Sequence, residues 1–449
     1  MSSVTPARLA AYETLRRVFE DGAWADRALR SAAERAGLEG RERAQAQGLA
    51  YGAVQRRGTS DHLIAELSGR AVERLDDPLL AALRLGIYEL LFSDGHADHA
   101  SVDQAVRLAK GPSGRRRGAG LVNAVLRRAI REREALLAGL TDADPAKAAV
   151  AHSVPVWLAE LWWAELGEET ARGLLAAINL PPERAYRANR LQGDRDSMLA
   201  GLAERGVEAH AAPGDPAPSP ADSLIVTGGE WSRVEEEVAA GRLVPQSRGS
   251  ALVVELLAPE PGERVLDLCA GPGIKATQIG AALGGGGGLV CVEQDPGRAS
   301  ELADLLARCG AGEAEVVVAD AAEAPVEDGF DAVLVDPPCS GLGTLASRPD
   351  ARWRRSPEGI GEMAVAAERI LARGLAALRP GGRLVYSTCT ISRRENEDVI
   401  AAAGAAEPDD LGAGGDGLEL LRSTHDPHCL QTRTDRDRTD GFFIARLRG

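Results

Sequence analysis

At 449 residues the chain is too long for one ordinary domain and needs more than one hydrophobic core. Its 44% hydrophobic and 27% charged residues are ordinary for a soluble globular protein, and the lack of any apolar run long enough to cross a bilayer excludes a helical membrane protein. The net charge of −15 argues against nonspecific nucleic-acid binding by the whole surface, yet residues 1–134 hold 22 Lys/Arg against 18 Asp/Glu, leaving 30 against 49 for the remainder, so positive charge gathers at the front. The opening MSSVTPARLAAYETLRRVFEDG has no charged segment followed by an apolar block, the mark of a secretory leader, so the expected location is cytoplasmic.

Residues 1–140 read as an all-helical bundle, with apolar positions at three- and four-residue spacing such as Leu9, Tyr12, Leu15 and Phe19. Ser101 and Gln104 form a capping-box pattern at the start of SVDQAVRLAK, and Gly111 and Pro112 mark its end. After GPSGRRRGAG a second helix follows, LVNAVLRRAIRERE. Lys110, Arg115, Arg116, Arg117, Arg127, Arg128, Arg131 and Arg133 thus fall in one stretch broken by glycines, a candidate surface for an RNA backbone whose alternative is a solvated helix face. Residues 148–235 read as a connector, with helices in VPVWLAELWWAEL and EETARGLLAAINL and a linker in AAPGDPAPSPAD. Trp157, Trp162 and Trp163 are read as core rather than as base-stacking platforms.

From residue 236 to 449 strands alternate with helices: RVLDL, LVCVE, AEVVVA, AVLV, RLVYS and a closing GFFIARL. That alternation predicts an α/β domain with a doubly wound, mostly parallel sheet. The glycines at 284–288 follow a helix, so they are read as a loop and not as a phosphate cradle. In such a sheet ligands bind beyond the carboxyl ends of the strands. Past RVLDL lies the turn Cys269, Ala270, Gly271, Pro272, Gly273, Ile274 and Lys275; past LVCV lies Glu293, placed for ribose hydroxyls; past AEVVVA lies Asp320, placed for an adenine.

Past AVLV come Asp336 and Cys339, and past RLVYS comes Cys389. The fourth and fifth strands of a doubly wound sheet are neighbours, so both thiols should face one pocket. The six cysteines show no CxxC pairing; Cys291 and Cys309 are read as small buried hydrophobes, and no metal site is expected from His425, His428 and Cys429, which are read as a loop.

VLDLCAGPGIKATQI, VLVDPPCSGLGTLASRPDARWR, RPGGRLVYSTCTISRRENEDVI and DGFFIARL resemble the bacterial ribosomal RNA cytosine-5 methyltransferases of the Sun/Fmu family. LRLGIYELLF, HASVDQAVRLAK and GLVNAVLRRA resemble the NusB-like RNA-binding domain joined to them. The resemblance implies a Rossmann-like domain using S-adenosyl-L-methionine, with Cys389 as nucleophile, Cys339 as the group that releases product, and Asp336 contacting substrate or cofactor. The turn from Cys269 to Lys275, with Glu293 and Asp320, becomes the cofactor site. The two thiols suit the chemistry. Carbon 5 of cytosine is too weak a nucleophile to take a methyl unaided, attack of a thiolate on carbon 6 makes the ring an enamine, and Asp336, protonated or sharing a proton with the ring nitrogen, would stabilise that adduct. The implied partner is protein-free small-subunit (16S) ribosomal RNA, bound by a monomer. A transfer RNA cytosine-5 methyltransferase is the chemically equivalent alternative, and a non-catalytic RNA-binding factor the other. The chain departs from the family pattern at Gly271, Ile274 and Glu293, and in RSTHDPHCLQTRTDRDRTD near its end.

Overall fold

The computed structural model describes residues 4–111, 118–214, 218–404, 408–414 and 417–449. The chain divides into two compact units, Met1–Asn179 with Arg348–Arg354, and Leu180–Ser347 with Arg355–Gly449. No described helix is long and apolar enough to cross a membrane.

The first unit is helical. Its early helices are Pro6–Phe19, Ala25–Arg35, Gly40–Gln55, Arg57–Ser68, Asp77–Leu91, Asp98–Lys110 and Ala119–Arg131. Pro6 sits at the first helical position, where its missing N–H costs nothing. The buried face of that helix includes Ala7, Ala11, Tyr12, Leu15 and Val18, whereas Leu9 is 41% exposed, so the expected stripe through Leu9 is displaced. One cause is Arg8, which is buried on the inward side and donates to both oxygens of the buried Glu89 at 2.7–3.0 Å. The same pair overturns the capping box. The helix starts a turn earlier, at Asp98, and the Ser101 hydroxyl donates to Glu89 Oε2 at 2.9 Å while Gln104 Oε1 accepts the Thr5 N–H at 2.9 Å. Removing one partner of a buried ion pair strands the other's charge. Glu89→Ala should therefore destabilise the protein by about 3–5 kcal/mol, read as a lowered urea midpoint; an unchanged midpoint would show that the pair contributes nothing net.

The expected connector is not one piece. Helices Pro145–His152, Val156–Leu166 and Glu168–Ala177 belong to the first unit; of the three tryptophans expected in the core Trp162 is fully buried, whereas Trp157 and Trp163 are half-buried. Past residue 179 comes a small antiparallel sheet in the order β2-β3-β1-β4, built from β1 (Ala185–Ala188), β2 (Val207–Ala211), β3 (Ser223–Gly229) and β4 (Leu243–Pro245). Leu202 and Val234, from helices Arg195–Glu204 and Trp231–Ala239, join its core with Ala188, Leu224 and Leu243. The proline-rich AAPGDPAPSPAD joins β2 to β3; residues 215–217 lie outside the described residues.

The larger sheet contains β5 (Val265–Asp267), β6 (Leu289–Glu293), β7 (Glu315–Val318), β8 (Phe330–Val335), β9 (Leu378–Thr388), β10 (Leu430–Gln431) and β11 (Phe443–Arg448), in the order β10-β11-β9-β8-β5-β6-β7. Strands β5 to β9 run parallel, and β11 and β10 are antiparallel additions at one edge. This is the expected α/β, Rossmann-like architecture. Apolar clusters lie on both faces, one containing Val265, Cys291 and Leu334, the other Leu266, Val333 and Leu384. Order reverses between β5 and β8, and the crevice beyond the strand ends there is where such sheets bind ligands.

Candidate active site

The turn after β5 is shaped by its glycines. Gly273 has φ +109°, a left-handed conformation that favours glycine, and it opens helix Ile274–Ala282. A Cβ on Gly271 would stand 2.0 Å from Glu293 Oε2, so a side chain there would have to displace the carboxylate at the end of β6. Glu293 is buried, accepts the Asp295 N–H at 2.9 Å and lies 3.4 Å from Arg298, whose Nη2 also donates to the Gly271 carbonyl. Ala270 is buried, with its N–H on the Val292 carbonyl at 2.9 Å, and Pro272 follows a cis peptide bond. Burial pushes the Cys269 thiol well above its ordinary pKa, so it stands at the turn as an inert group. Beyond β7, Asp320 is exposed and accepts the Ala322 N–H at 2.9 Å.

Asp267, the last residue of β5, was not singled out from the sequence, although an acid inside the apolar run VLDL is the signal for it. It is fully buried; Oδ1 accepts the Cys269 N–H at 3.4 Å, and Oδ2 has no hydrogen-bond partner among the described residues. Burial first, and the Asp336 carboxylate second, push its pKa up to about 7. An orphaned acceptor beside a glycine-lined turn and a buried carboxylate fits a cofactor that carries an ammonium group and a ribose, so these residues suit S-adenosylmethionine. A carboxyl whose folded pKa is raised stabilises the fold fully below its unfolded pKa and loses that contribution as pH rises through the folded value. Wild type should thus lose stability relative to Asp267→Asn between about pH 4 and pH 7, by on the order of a few kcal/mol. A difference in Tm between the two proteins that stays constant over that range would contradict this.

Lys275, expected at the cofactor, is found on Asp336. Its Nζ lies 2.6 Å from Asp336 Oδ2 and 4.9 Å from the centre of the Phe442 ring. Burial works against its charge, but the Asp336 carboxylate overrides burial and holds the ammonium above its ordinary pKa. The other oxygen of Asp336 accepts the Ser387 hydroxyl at 3.0 Å. An ammonium and a hydroxyl thus both donate to Asp336.

The structure brings the two strand-end thiols together: Cys339 Sγ and Cys389 Sγ are 3.3 Å apart, at the ends of the adjacent strands β8 and β9. The hydrogen bond with Cys389, then burial, then the charges of Cys389, Glu395 and Asp336, push the Cys339 thiol well above its ordinary pKa. The Lys275 ammonium, in contrast, is coupled electrostatically to Cys389. Cys339 is therefore held as a thiol whose S–H can be donated to Cys389.

Glu395 and Asn396 hold these loops and were missed in the sequence. Buried Glu395 accepts the Ser340 N–H at 2.6 Å and the Ser340 hydroxyl at 2.5 Å, and Asn396 receives the Thr388 hydroxyl at 2.5 Å while donating to the Thr390 carbonyl at 3.2 Å. Their only signal was a Glu-Asn pair just after the Thr-Cys-Thr run.

The other candidates lie elsewhere. Arg115, Arg116 and Arg117 fall outside the described residues. Arg127 donates to Asn123, Arg128 to Glu132 and the Leu67 carbonyl, Arg131 to the Arg127 carbonyl, and Arg133 to Asp98. Cys291, Cys309 and Cys429 are buried.

The 16S rRNA methyltransferase RsmB/F family matches residues 254–448, the NusB family matches 5–131, and the ferredoxin-like domain of RsmF/B-like methyltransferases matches 154–217. A putative methyltransferase of Mycobacterium tuberculosis is 36% identical over 90% of this chain and 87% of its own length. The ribosomal RNA small subunit methyltransferase B of Pseudomonas putida is 32% identical over 98% of both. Among solved structures, PH0851 covers all of both chains at a TM-score of 0.80 and 25% identity. The chain therefore belongs to the RsmB/F family of 16S rRNA methyltransferases, RNA methyltransferases that take S-adenosylmethionine as cofactor, and it carries a NusB-family domain at its front.

Proposed function

We propose that the enzyme methylates carbon 5 of a cytosine in 16S rRNA through a covalent bond between Cys389 and carbon 6. The observation that carries this reading is the 3.3 Å approach of Cys339 and Cys389, with the Lys275 ammonium coupled to the latter. The Cys389 thiolate attacks carbon 6; as the Sγ–C6 bond forms, the C5=C6 electron pair moves into the ring as an enaminate, whose charge the Lys275 ammonium offsets. Asp336 accepts from the cytosine amino group. S-adenosylmethionine, when bound, supplies the methyl group for carbon 5. Bonding Cys389 to carbon 6 removes the thiolate that held Cys339 protonated, so Cys339 gives its proton to solvent and becomes the base. It takes the proton from carbon 5, the C5=C6 bond re-forms, the Sγ–C6 bond breaks, and Cys389 leaves as thiolate with Cys339 again protonated. One proton is released per methyl transferred, as conversion of a sulfonium donor to a neutral thioether requires.

The cofactor is held by the turn from Cys269 to Ile274, with Asp267, Glu293 and Asp320, while Lys275 serves the reacting ring. The substrate is RNA free of ribosomal proteins, and the enzyme acts as a monomer. Incubating the enzyme with S-adenosylmethionine and either protein-free 16S rRNA or intact small subunits, then separating the nucleosides by mass spectrometry, tests this. The reading expects 5-methylcytidine from the free RNA; a methylated exocyclic amine or ribose would overturn it.

A further inference from the structure

Between the Cys339 loop and helix Pro357–Ala377, the chain leaves the second unit at Ser347, contributes Arg348–Arg354 to the helical unit, and returns at Arg355. The Arg352 side chain is fully buried there. Its Nη1 donates to Asn179 Oδ1 at 2.9 Å and the Ser153 carbonyl at 3.2 Å, with the Gln55 and His152 carbonyls at 3.5 Å, and its Nη2 donates to the Ile178 carbonyl at 3.2 Å. Those oxygens stand at the C-terminal ends of Gly40–Gln55, Pro145–His152 and Glu168–Ala177, where unpaired carbonyls carry the negative end of the helix dipole. The guanidinium is thus held by converging helix ends.

Its neighbours are held too. Trp353 Nε1 donates to the Val54 carbonyl at 2.9 Å beneath the Arg57 guanidinium, and a Cβ on Gly58 would come within 2.8 Å of its ring. Asp350 accepts the Ala25 N–H at 3.2 Å, and Arg354 donates to the Gly22 carbonyl at 2.9 Å and stacks on Trp24. The next residue, Arg355, donates from Nε to the Ser340 carbonyl at 2.7 Å and from Nη2 to that of Cys339 at 3.5 Å. On the other flank, the Gly343 N–H reaches the Cys389 carbonyl at 3.0 Å.

We propose that residues 348–354 are a positioning element for Cys339: the helical unit fixes this segment, the segment fixes Arg355, and Arg355 holds the backbone of Cys339 and Ser340 where the thiol can reach carbon 5. This rests on the assignment of Cys339 as the eliminating base. A positioning role differs from an RNA-binding one in the species that accumulates. Loosening the segment should slow elimination and leave RNA bonded to Cys389, whereas loss of an RNA contact should raise KM.

The test uses the full-length protein with 16S rRNA and S-adenosylmethionine, comparing wild type, Cys339→Ala, Arg352→Met and Trp353→Phe. Arg352→Met should lower kcat by roughly tenfold or more and build up an RNA adduct stable to denaturing electrophoresis, with the KM for RNA and the affinity for S-adenosylmethionine within about twofold of wild type. Trp353→Phe, which keeps an aromatic ring but loses the indole N–H and part of the ring system, should shift the same readouts less. If Arg352→Met loses cofactor affinity, and with it the fold, Trp353→Phe decides by the same readouts. If Cys339→Ala accumulates adduct while the segment variants raise KM or lose stability without adduct, the positioning role is overturned. If Cys339→Ala itself accumulates none, it is the underlying assignment that has failed.

Discussion

Cys389→Ala should yield neither 5-methylcytidine nor a protein–RNA adduct, a loss on the order of 10⁴-fold or more, because without a thiolate at carbon 6 the ring is never activated. Cys339→Ala should still attack and methylate, and then stall with RNA attached through Cys389. The electrostatics support this division. The hydrogen bond with Cys389, burial and the carboxylates of Glu395 and Asp336 hold Cys339 as a thiol, while the charge of Cys389 acts on the Lys275 ammonium. Denaturing electrophoresis with labelled RNA checks both variants, and an adduct in Cys389→Ala that is absent from Cys339→Ala would reverse the roles.

Lys275→Met should lower the single-turnover rate of methyl transfer by about 10²–10³-fold while leaving the affinity for S-adenosylmethionine within a few-fold. The ammonium sits 2.6 Å from Asp336, and on our reading it offsets charge that develops only as carbon 6 is attacked. Its removal also strips Asp336 of its cation and leaves the Ser387 hydroxyl donating to the other carboxylate oxygen. Single-turnover rates at saturating cofactor separate the possibilities. A weakened cofactor affinity with an unchanged saturated rate would return Lys275 to the cofactor site, where its place in the turn first suggested it belonged.

The larger sheet was legible because parallel strands buried on both faces read as continuous apolar runs, as RVLDL and LVCVE do, and because the chemistry of such sheets gathers at strand ends. That rule alone predicted that Cys339 and Cys389 share a pocket. The small sheet was not legible: β1 and β4 are Ala185–Ala188 and Leu243–Pro245, too short for an alternating pattern, and their partners lie far along the chain. The capping box misled for a related reason. Ser101 has a cap's sequence context, yet its hydroxyl serves the buried Glu89 on the preceding helix, a tertiary demand no local pattern carries. Arg352 and Glu395 were hidden likewise. Each sits in an ordinary charged stretch, and burial among distant carbonyls or hydroxyls is what sets it apart.

The central claim, that Cys389 bonds to carbon 6 of a cytosine, is tested most directly by trapping that bond. In 16S rRNA transcribed with 5-fluorocytidine, fluorine replaces the proton that Cys339 must remove, so the adduct should persist after methyl transfer in the wild-type enzyme. Digesting the complex with trypsin and nuclease and sequencing the nucleotide-bearing peptide by mass spectrometry locates the attachment. The account predicts the modified nucleotide on Cys389, within the peptide at residues 384–393; attachment at Cys339, or no adduct on RNA that the enzyme demonstrably binds, would contradict it.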